Sequence, residues 1–206
     1  YGEGKFGVVG KTVFSKFKYD ESGTATFEHF KKNKYYYNLY AGADFGFNHK
    51  ATLILCYWYP EKNTIFIFDE IAVRGKTTKE FGKLIINKLV KYGITDIPVY
   101  CDSAEPASIK EFEQMGMNAQ KAKKPKGSRR AGLNFLLSNY IIINPECGSI
   151  YNEMSALTYK YNKKLGMYED EPVEKNDDSI AALRYCFSRE FNYSGIVNGV
   201  SSNKLY

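Results

Sequence analysis

The 206-residue sequence lacks the features that identify membrane, secreted and repeat proteins. No run of about 18 apolar residues is present, which excludes a membrane-spanning helix. The first residues contain no hydrophobic stretch of the signal-peptide kind, and no internal repeat or low-complexity segment is evident. An initial methionine is also missing, so we expect the chain to be an excised domain or a processed product.

Residues that bind soft metals or act as nucleophiles are scarce. The two histidines, His29 and His49, give little support for a zinc site or a histidine-based catalytic triad. The four cysteines lie far apart in the sequence, which excludes a CxxC metal site and a dense disulfide framework. We expect them to be small apolar core residues in a reducing, intracellular compartment.

A phosphate-binding loop is missing as well. Gly10-Lys11-Thr12 matches the end of such a loop, but the position five residues before Gly10 holds Lys5, where the motif requires glycine. No buried strand precedes this segment, so we predict no nucleotide site there.

The composition that remains is typical of a basic globular domain. Hydrophobic residues make up 44% of the chain, which is enough for a sizeable core, and the length fits one domain with a short appendage. Lysine and arginine number 29 against 23 acidic residues, which gives a formal net charge of +6. This charge hints at an acidic partner, and its distribution along the chain decides what it means.

Runs of β-branched and aromatic residues predict the first half of a sheet. Three of them, Tyr40–Phe47, Ala51–Tyr59 and Thr64–Glu70, are joined by short turns and predict an antiparallel meander. Residues 1–38 are rich in glycine and lysine and only weakly patterned. Val13–Tyr19 and Thr24–Phe27 could be strands on either side of a turn, so a hairpin and a linker remnant both remain open for this segment.

The periodicity then changes to that of helices. Thr77 and Glu80 form a capping box that begins a helix, and Gly93 ends it. Further elements are predicted as helices over 106–115, 128–138, 149–157 and 177–191, strands over 97–101, 118–122 and 140–144, and a hairpin or long loop over 158–173. This order predicts an α/β fold with a mixed sheet, three antiparallel strands followed by parallel strands, flanked by helices. The main domain is predicted over 39–191, with 192–206 as a tail.

Acidic residues stand at positions that the strand and helix patterns do not require. Asp44 lies inside an apolar strand close to Gly42, Asp102 follows a predicted strand, and Asp177 and Asp178 begin the last predicted helix. Asp102 and Asp178 could simply cap helices, but a lone carboxylate inside a strand is costly unless it is paired. Glycine beside it would allow a ligand to approach closely. Carboxylates gathered at strand ends favour Mg²⁺-like ions, and two such ions can assist phosphodiester cleavage by water.

Basic residues are concentrated in two segments. The first basic segment, residues 120–130, has no acid and contains Lys121, Lys123, Lys124, Lys126, Arg129 and Arg130. The second basic segment, residues 160–164, contains Lys160, Lys163 and Lys164 beside tyrosines. Solvated loops are the alternative, but beside a metal-type acid cluster these residues favour contact with nucleic-acid phosphates. Glu70, at the end of the third predicted strand, could support the acid site from a second shell or be solvated at the sheet edge.

Several stretches resemble the C-terminal nuclease domain of the large terminase subunit of tailed bacteriophages. They cover most of residues 40–190 and are GADFGFNHKAT (Gly42–Thr52), FDEIAVRGKTTKEF (Phe68–Phe81), the segment Tyr100–Ser128, the segment Ile143–Tyr161 and DDSIAALRY (Asp177–Tyr185). The part that reads Asp-Ser-Ala-Glu-Pro-x-Ser-Ile, Asp102–Ile109, is the specific one. The resemblance implies a ribonuclease H-like fold and metal-dependent DNA endonuclease activity.

The resemblance also implies roles for individual acids. Asp44 and Asp102 match two catalytic, metal-binding positions, and the third lies at the start of the last helix. Many relatives have His and Asp there, where this sequence has Asp178 and Ala181, whereas other terminases have an acidic pair. The implied ligands of Mg²⁺ or Mn²⁺, two ions in all, are therefore Asp44, Asp102 and Asp178, with Asp177 as the alternative to Asp178.

The partners implied by the resemblance are double-stranded DNA, the terminase small subunit and the portal, in the host cell cytoplasm and away from any membrane. An ATPase domain would precede this chain, and residues 1–38 would be the end of that connection. The residues themselves leave two other functions open. One is another ribonuclease H-like nuclease of the junction-resolvase or integrase type. The other is a DNA-binding module with weakened catalysis, which Ala181 favours.

Overall fold

The computed structural model describes residues 10–173 and 177–191. The strands in these ranges are β1 (Phe17–Tyr19), β2 (Asn38–Asp44), β3 (Ala51–Tyr59), β4 (Thr64–Val73), β5 (Val99–Cys101), β6 (Ala119–Lys121), β7 (Tyr140–Ile143), β8 (Tyr159–Asn162) and β9 (Met167–Pro172). The helices are α1 (Phe27–Asn33), α2 (Thr78–Tyr92), α3 (Pro106–Gln114), α4 (Ser128–Ser138), α5 (Gly148–Ala156) and α6 (Asp178–Cys186). None of these helices has the length and hydropathy of a membrane-spanning segment.

Seven strands form one mixed sheet in the order β1-β7-β4-β3-β2-β5-β6. Strands β2, β3 and β4 are antiparallel to one another, whereas β5 and β6 continue from β2 in parallel. On the other side β7 is parallel to β4, and β1 is parallel to β7. The predicted fold class, a mixed sheet of antiparallel and then parallel strands, is confirmed. Strands β8 and β9 form a separate antiparallel hairpin, which decides between the two alternatives for residues 158–173.

Helices cover both faces of the sheet, and the central strand shows why. Along β3, Leu53 and Leu55 belong to the core under α1, α2 and α3, whereas the alternate residues Ile54 and Cys56 belong to the core under α4, α5 and α6. All four are fully buried. A strand that is buried on both faces needs apolar residues throughout, because successive side chains point to opposite faces. The four cysteines are all buried and unpaired, as expected.

The N-terminal segment differs from both sequence-based alternatives. Val13 and Phe14 are buried in the core, β1 is the edge strand beside β7, and α1 begins after the N-cap Thr26. The described part of this segment, residues 10–38, therefore forms neither a hairpin nor an unpacked linker, and the sheet extends into the residues that the predicted boundary at residue 39 set apart. The domain boundary itself stays a prediction. Phe17 pairs in parallel with the distant Ile141, so no local turn pattern in the sequence predicts β1.

Two elements near the predicted acid site are shorter than expected. Strand β2 ends at Asp44, because the chain turns so tightly after it that a Cβ on Gly46 would lie 2.6 Å from the Lys50 carbonyl oxygen. Helix α6 ends at Cys186, because the Phe187 amide bonds only three residues back, to Arg184. Asp44 is thus the last residue of its strand instead of an interior one.

Candidate metal centre and nucleic-acid interface

Two of the predicted acids lie side by side at the end of neighbouring strands. Asp44 ends β2, and Asp102 directly follows the parallel strand β5. Ala43 is in register with Cys101, and the Asp102 amide donates to the Ala43 carbonyl over 3.3 Å. Residues in register on adjacent strands point to the same face. The two carboxylates therefore share one edge and one face of the sheet.

Helix α6 brings the third acid to this edge, and Gly42 makes its approach possible. A Cβ on Gly42 would lie 2.2 Å from the carbonyl oxygen of Ala182 and 2.7 Å from the amide nitrogen of Cys186. Asp178 is one helical turn before Ala182, and Asp44 is two residues beyond Gly42 on the same strand face. Helix α6 therefore fills the space beside Gly42, whereas the sequence indicated that a ligand could approach there.

A buried threonine fastens the start of α6 to the strand beside Asp44. Thr52 on β3 is in register with Asp44 and is fully buried. Its hydroxyl donates to the Asp178 carbonyl oxygen over 3.0 Å. The backbone of the third acid is therefore tied directly to the sheet at the position of the first.

Electrostatics show that the three acids interact. Burial, and after it the charges of Asp102 and Asp178, raise the pKa of Asp44 to about 7 against the opposing effect of Arg184 and Lys124. Like charges in one site disfavour simultaneous ionisation unless a cation compensates them. The site therefore has a surplus of negative charge that a divalent cation would relieve.

Asp102 differs from Asp44 because it already has partners. Its carboxylate accepts from Lys124 Nζ over 2.6 Å, from the Ala104 amide over 2.8 Å and from the Tyr185 hydroxyl over 3.0 Å. Burial opposes its charge, but the hydrogen bonds from Lys124 and Ala104 prevail and lower the pKa of Asp102. The site thus combines an ionised acid with one that is protonated in part at neutral pH.

The two acids at the start of α6 have different neighbours. Asp177 pairs with Arg129 at the start of α4, over 3.1 Å. The charge of Asp178 instead raises the pKa of Asp44. The structure therefore groups Asp178, and not Asp177, with Asp44. Ala181, at the position where many relatives have Asp, is buried against Ala122 and Tyr185 and offers no ligand.

Glu70 is occupied elsewhere. Its two carboxylate oxygens accept the backbone amides of Ser149, over 2.7 Å, and Ile150, over 3.0 Å, at the beginning of α5. Burial raises the pKa of Glu70 although these two bonds act against it. Glu70 is thus a cap for α5, and its support of the acid site stays a prediction.

The first basic segment lies at the same sheet edge as the acids. Strand β6, which ends at Lys121, is the neighbour of β5, and the chain then passes the acids before α4. Lys124 pairs with Asp102, Arg129 with Asp177 and Arg130 with Asp170 of β9. Lys121, Lys123 and Lys126 lie in the same segment with exposed side chains.

The second basic segment lies on the β8–β9 hairpin. Lys160 on β8 pairs with Glu171 on β9 over 3.1 Å. Lys163 and Lys164 occupy the turn between the two strands and are exposed. The hairpin that carries this segment contacts the first basic segment through the pair of Asp170 with Arg130.

Sequence reasoning missed several residues of this edge. Tyr185 bonds Asp102, and it lies seven positions after Asp178, so two turns of helical spacing would have placed both on one face. Thr52 gave no such signal, because its role depends on strand register. Arg74 and Lys76, exposed in the loop after β4, add positive charge beside the loop that follows Asp44; the Gly75 amide between them donates to the Phe47 carbonyl.

The donor set of the site fits a hard divalent cation. It offers carboxylate oxygens and neither imidazole nor thiolate, which is the chemistry that Mg²⁺ and Mn²⁺ prefer. Across residues 10–173 and 177–191, no three His, Cys, Asp or Glu side chains are gathered as closely as coordination of one ion requires. One carboxylate oxygen of Asp102 is instead paired with Lys124 over 2.6 Å.

Comparison with known proteins assigns the family. A family model described as the terminase RNase H-like domain matches residues 44–189. The chain belongs to this family. The large terminase nuclease domain of bacteriophage SPP1, solved with bound Mn, is 26% identical, with a TM-score of 0.73 over 86% of this chain and 98% of that one. The predicted terminase family and ribonuclease H-like fold, and with them the assignment as a large-terminase nuclease domain, are confirmed.

Two further terminases are similar to this chain. The PBSX phage terminase large subunit of Bacillus subtilis (strain 168) is 29% identical over 132 residues, which are 63% of this chain and 30% of that protein. The chain therefore spans about a third of the length of this curated terminase. The large terminase nuclease of the thermophilic phage G20c, solved with bound magnesium, shares the fold at 17% identity and a TM-score of 0.56, over 87% of this chain and 97% of that one.

Proposed function

We propose that this terminase domain is a Mg²⁺- or Mn²⁺-dependent endonuclease that cuts concatemeric viral DNA during genome packaging. The observation that carries the proposal is the meeting of Asp44, Asp102 and Asp178, from two strands and a helix, at one sheet edge beside the first basic segment. The metal ions in the SPP1 and G20c nuclease domains support it.

The three carboxylates are the proposed metal ligands, with two ions in the complete site. A divalent ion bound by them supplies Lewis-acid activation of water and charge stabilisation at the scissile phosphate. Asp44 has a pKa near 7, so it must release a proton before it can act as a ligand. Asp102 and Tyr185 hold each other in place, which fixes one ligand before any ion arrives.

The basic residues of both segments are the proposed DNA contacts, mainly to backbone phosphates and thus with limited sequence readout. Lys124 is the central one, because its ammonium group lies 2.6 Å from a proposed ligand oxygen of Asp102. An ion that neutralises Asp102 would free Lys124 to pair with a phosphate. Arg74 and Lys76 would meet the duplex on the other side of Asp44.

A plasmid-nicking assay tests the proposal. The wild-type chain should nick supercoiled DNA with Mn²⁺ and not with EDTA, and Asp44→Asn should reduce the rate at least about 100-fold, since loss of even outer ligand partners costs 10–100-fold. Asp96→Asn, which removes an exposed acid after α2, is the matched control and should cleave like the wild type.

The outcomes separate the competing functions. Cleavage that survives Asp44→Asn would refute the proposed metal site. Duplex binding without any metal-dependent cleavage would instead support the DNA-binding module. Preference for four-way junctions over linear duplex would support a resolvase-type nuclease.

The proposal extends to the assembly in which the domain works. The match to about a third of a whole large terminase supports a preceding ATPase domain, with the small subunit and the portal as partners in the host cytoplasm. Co-purification of the full-length protein with the small subunit and portal from an infected cell would test this extension.

A further inference from the structure

Helix α6 is capped by a glutamate that belongs to α5. Glu153 is buried, with 6% of its surface exposed. Its carboxylate accepts the backbone amides of Ser179, over 2.7 Å, and Ile180, over 3.2 Å, and also the Ser179 hydroxyl over 2.9 Å. These groups directly follow Asp178, so Glu153 holds the one turn of backbone that carries the third acid.

A lysine compensates the charge of this glutamate. Lys50 Nζ lies 2.6 Å from Glu153 Oε1 and 2.8 Å from the Ser149 hydroxyl oxygen. The hydroxyls of Ser149 and Ser179 are 3.1 Å apart and close the network. Buried polar networks in which every member has a partner are rigid and specify one arrangement.

The sheet edge that carries Asp44, Asp102 and Asp178 is called the metal edge. The network reaches this edge from both sides of Asp44. Lys50 lies at the end of the tight loop that follows Asp44, and Thr52 is opposite Asp44 on β3. Thr52 bonds the carbonyl of Asp178, while Glu153 bonds the amides of the next two residues. The first turn of α6 is thus held at a carbonyl oxygen by Thr52 and at two amide nitrogens by Glu153.

We propose that Lys50, Thr52 and Glu153 form an α6 clamp that positions Asp178 relative to Asp44 for metal binding, with Glu153 as its central positioning residue. This inference rests on the proposed function, because it presumes that Asp178 is a ligand. The clamp residues do not themselves touch the ion; they act through the backbone of α6.

Asp20 provides an internal comparison for Glu153. Each is a buried acid that accepts two backbone amides, which for Asp20 are those of Ser22 and Ala25. Asp20 fixes the turn that leads to α1, which carries no proposed ligand and no clamp residue, whereas Glu153 caps α6. Loss of either acid should reduce folding stability, but only loss of Glu153 should reduce metal affinity.

The experiment is a Mn²⁺ titration of the 206-residue chain, by calorimetry and by electron paramagnetic resonance of free Mn²⁺. Glu153→Gln should weaken Mn²⁺ binding about 10- to 100-fold, as for other residues that orient metal ligands. Thr52→Val, which keeps the shape of the buried side chain, should weaken it in the same direction. Asp20→Asn should stay within about twofold of the wild type, because the Asp20 carboxylate bonds only groups before α1 among its hydrogen-bond partners in the described residues. Melting curves in EDTA report the folding of each variant.

A second readout separates positioning from simple destabilisation. If the clamp acts on metal affinity, the cleavage rate of Glu153→Gln should return close to that of the wild type at saturating Mn²⁺. Wild-type Mn²⁺ affinity in both folded clamp variants would overturn the inference. So would a loss in Asp20→Asn as large as that in Glu153→Gln. If Glu153→Gln does not fold, Thr52→Val decides alone.

Failure of the proposed function gives a different result. Asp178→Asn is titrated in the same series. Unchanged Mn²⁺ affinity in that variant would refute Asp178 as a ligand, whatever the clamp variants do. Weak binding in Asp178→Asn, together with wild-type binding in both clamp variants, would refute only the clamp.

Discussion

The two basic segments are both rich in lysine, but they have different surroundings. In the first, Lys124 and Arg129 pair with acids of the metal edge, and the side chains of the Lys124–Asp102 pair are only 33% and 18% exposed. In the second, Lys160 pairs with Glu171 across a hairpin, and those side chains are 37% and 69% exposed. The density of basic residues along the chain therefore does not show which of them lie beside the acids. That depends on which strand of the sheet the segment follows.

The difference is also one of energy. An exposed ion pair such as Lys160–Glu171 contributes about 0–1 kcal/mol, because water and salt screen it. The Lys124–Asp102 pair is less exposed and lowers the pKa of Asp102, so its loss would disturb a neighbouring acid. The Lys124–Asp102 pair thus couples the first segment to the metal edge, whereas the Lys160–Glu171 pair contains none of the three acids.

The largest expected effect concerns the acids that the first segment reaches. Asp178→Asn should reduce Mn²⁺-dependent cleavage at least about 100-fold, because it removes a proposed ligand. Asp177→Asn should change the rate less than about threefold, because Arg129 already holds Asp177 in a partly exposed pair. Rates are measured by plasmid nicking at fixed Mn²⁺, with melting temperatures as the control for folding. Equal losses in both variants would mean that the pairing with Arg129 does not decide which acid is the ligand.

The next effect is on the pH dependence of metal binding. The pKa of Asp44 lies near 7, so below that pH each bound Mn²⁺ must displace its proton, and affinity should rise about tenfold per pH unit. Above about pH 7 the rise should level off. The folding stability of the metal-free protein should change with pH in the opposite direction. Because the folded state holds this proton more tightly than the unfolded chain, the contribution of Asp44 to stability is lost as the pH rises towards 7.

Calorimetry in two buffers of different ionisation enthalpy measures the proton release directly. About one proton should be released at pH 6 and almost none at pH 8. Asp44→Asn should remove the pH dependence and raise the melting temperature of the metal-free protein at pH 7, by about 2–4 °C for each kcal/mol of relieved repulsion. A pH-independent affinity in the wild type would show that Lys124 and Arg184 compensate Asp44 fully.

The smallest effect compares single lysines of the two segments. Lys124→Met should reduce the slope of log affinity against log salt by about 1 for a hydrolysis-resistant duplex with Mn²⁺. In EDTA the same change should have little effect, because Lys124 is then paired with Asp102. Lys164→Met, in the exposed hairpin turn, should reduce the slope by less than Lys124→Met does with Mn²⁺, and equally in both conditions, because Lys164 lies away from the three acids. A larger loss for Lys164 than for Lys124 would reverse the assignment of the main DNA contact.

Local patterns in the sequence predicted the elements well. The apolar run Ala51–Tyr59 and the helix over 128–138 have the predicted bounds, and the capping box of Thr77 with Glu80 is present. Gly93 ends α2 with a φ of 66°, the left-handed conformation that glycine adopts readily. These features depend on residues close together in the chain, so a pattern can show them.

Features that depend on distant residues were not predicted. The three acids were identified, but the partners that orient them were not. Glu153 bonds Ser179 across 26 residues and Thr52 bonds Asp178 across 126. Gly42 appeared to admit a ligand, because nothing nearby in the sequence shows that α6 packs against it. Such contacts follow from strand register and helix packing, which no local spacing contains.

The close packing of α6 on Gly42 also has a consequence for biosynthesis. The contact joins β2 to the last helix among the described residues, so the acid cluster cannot assemble until α6 has left the ribosome. The ribosome needs about 6–25 s to add the 126 residues that separate Thr52 from Asp178. Throughout that interval the nascent chain carries two of its acids without the third. Synthesis of α6 is therefore a built-in delay before the three acids can meet.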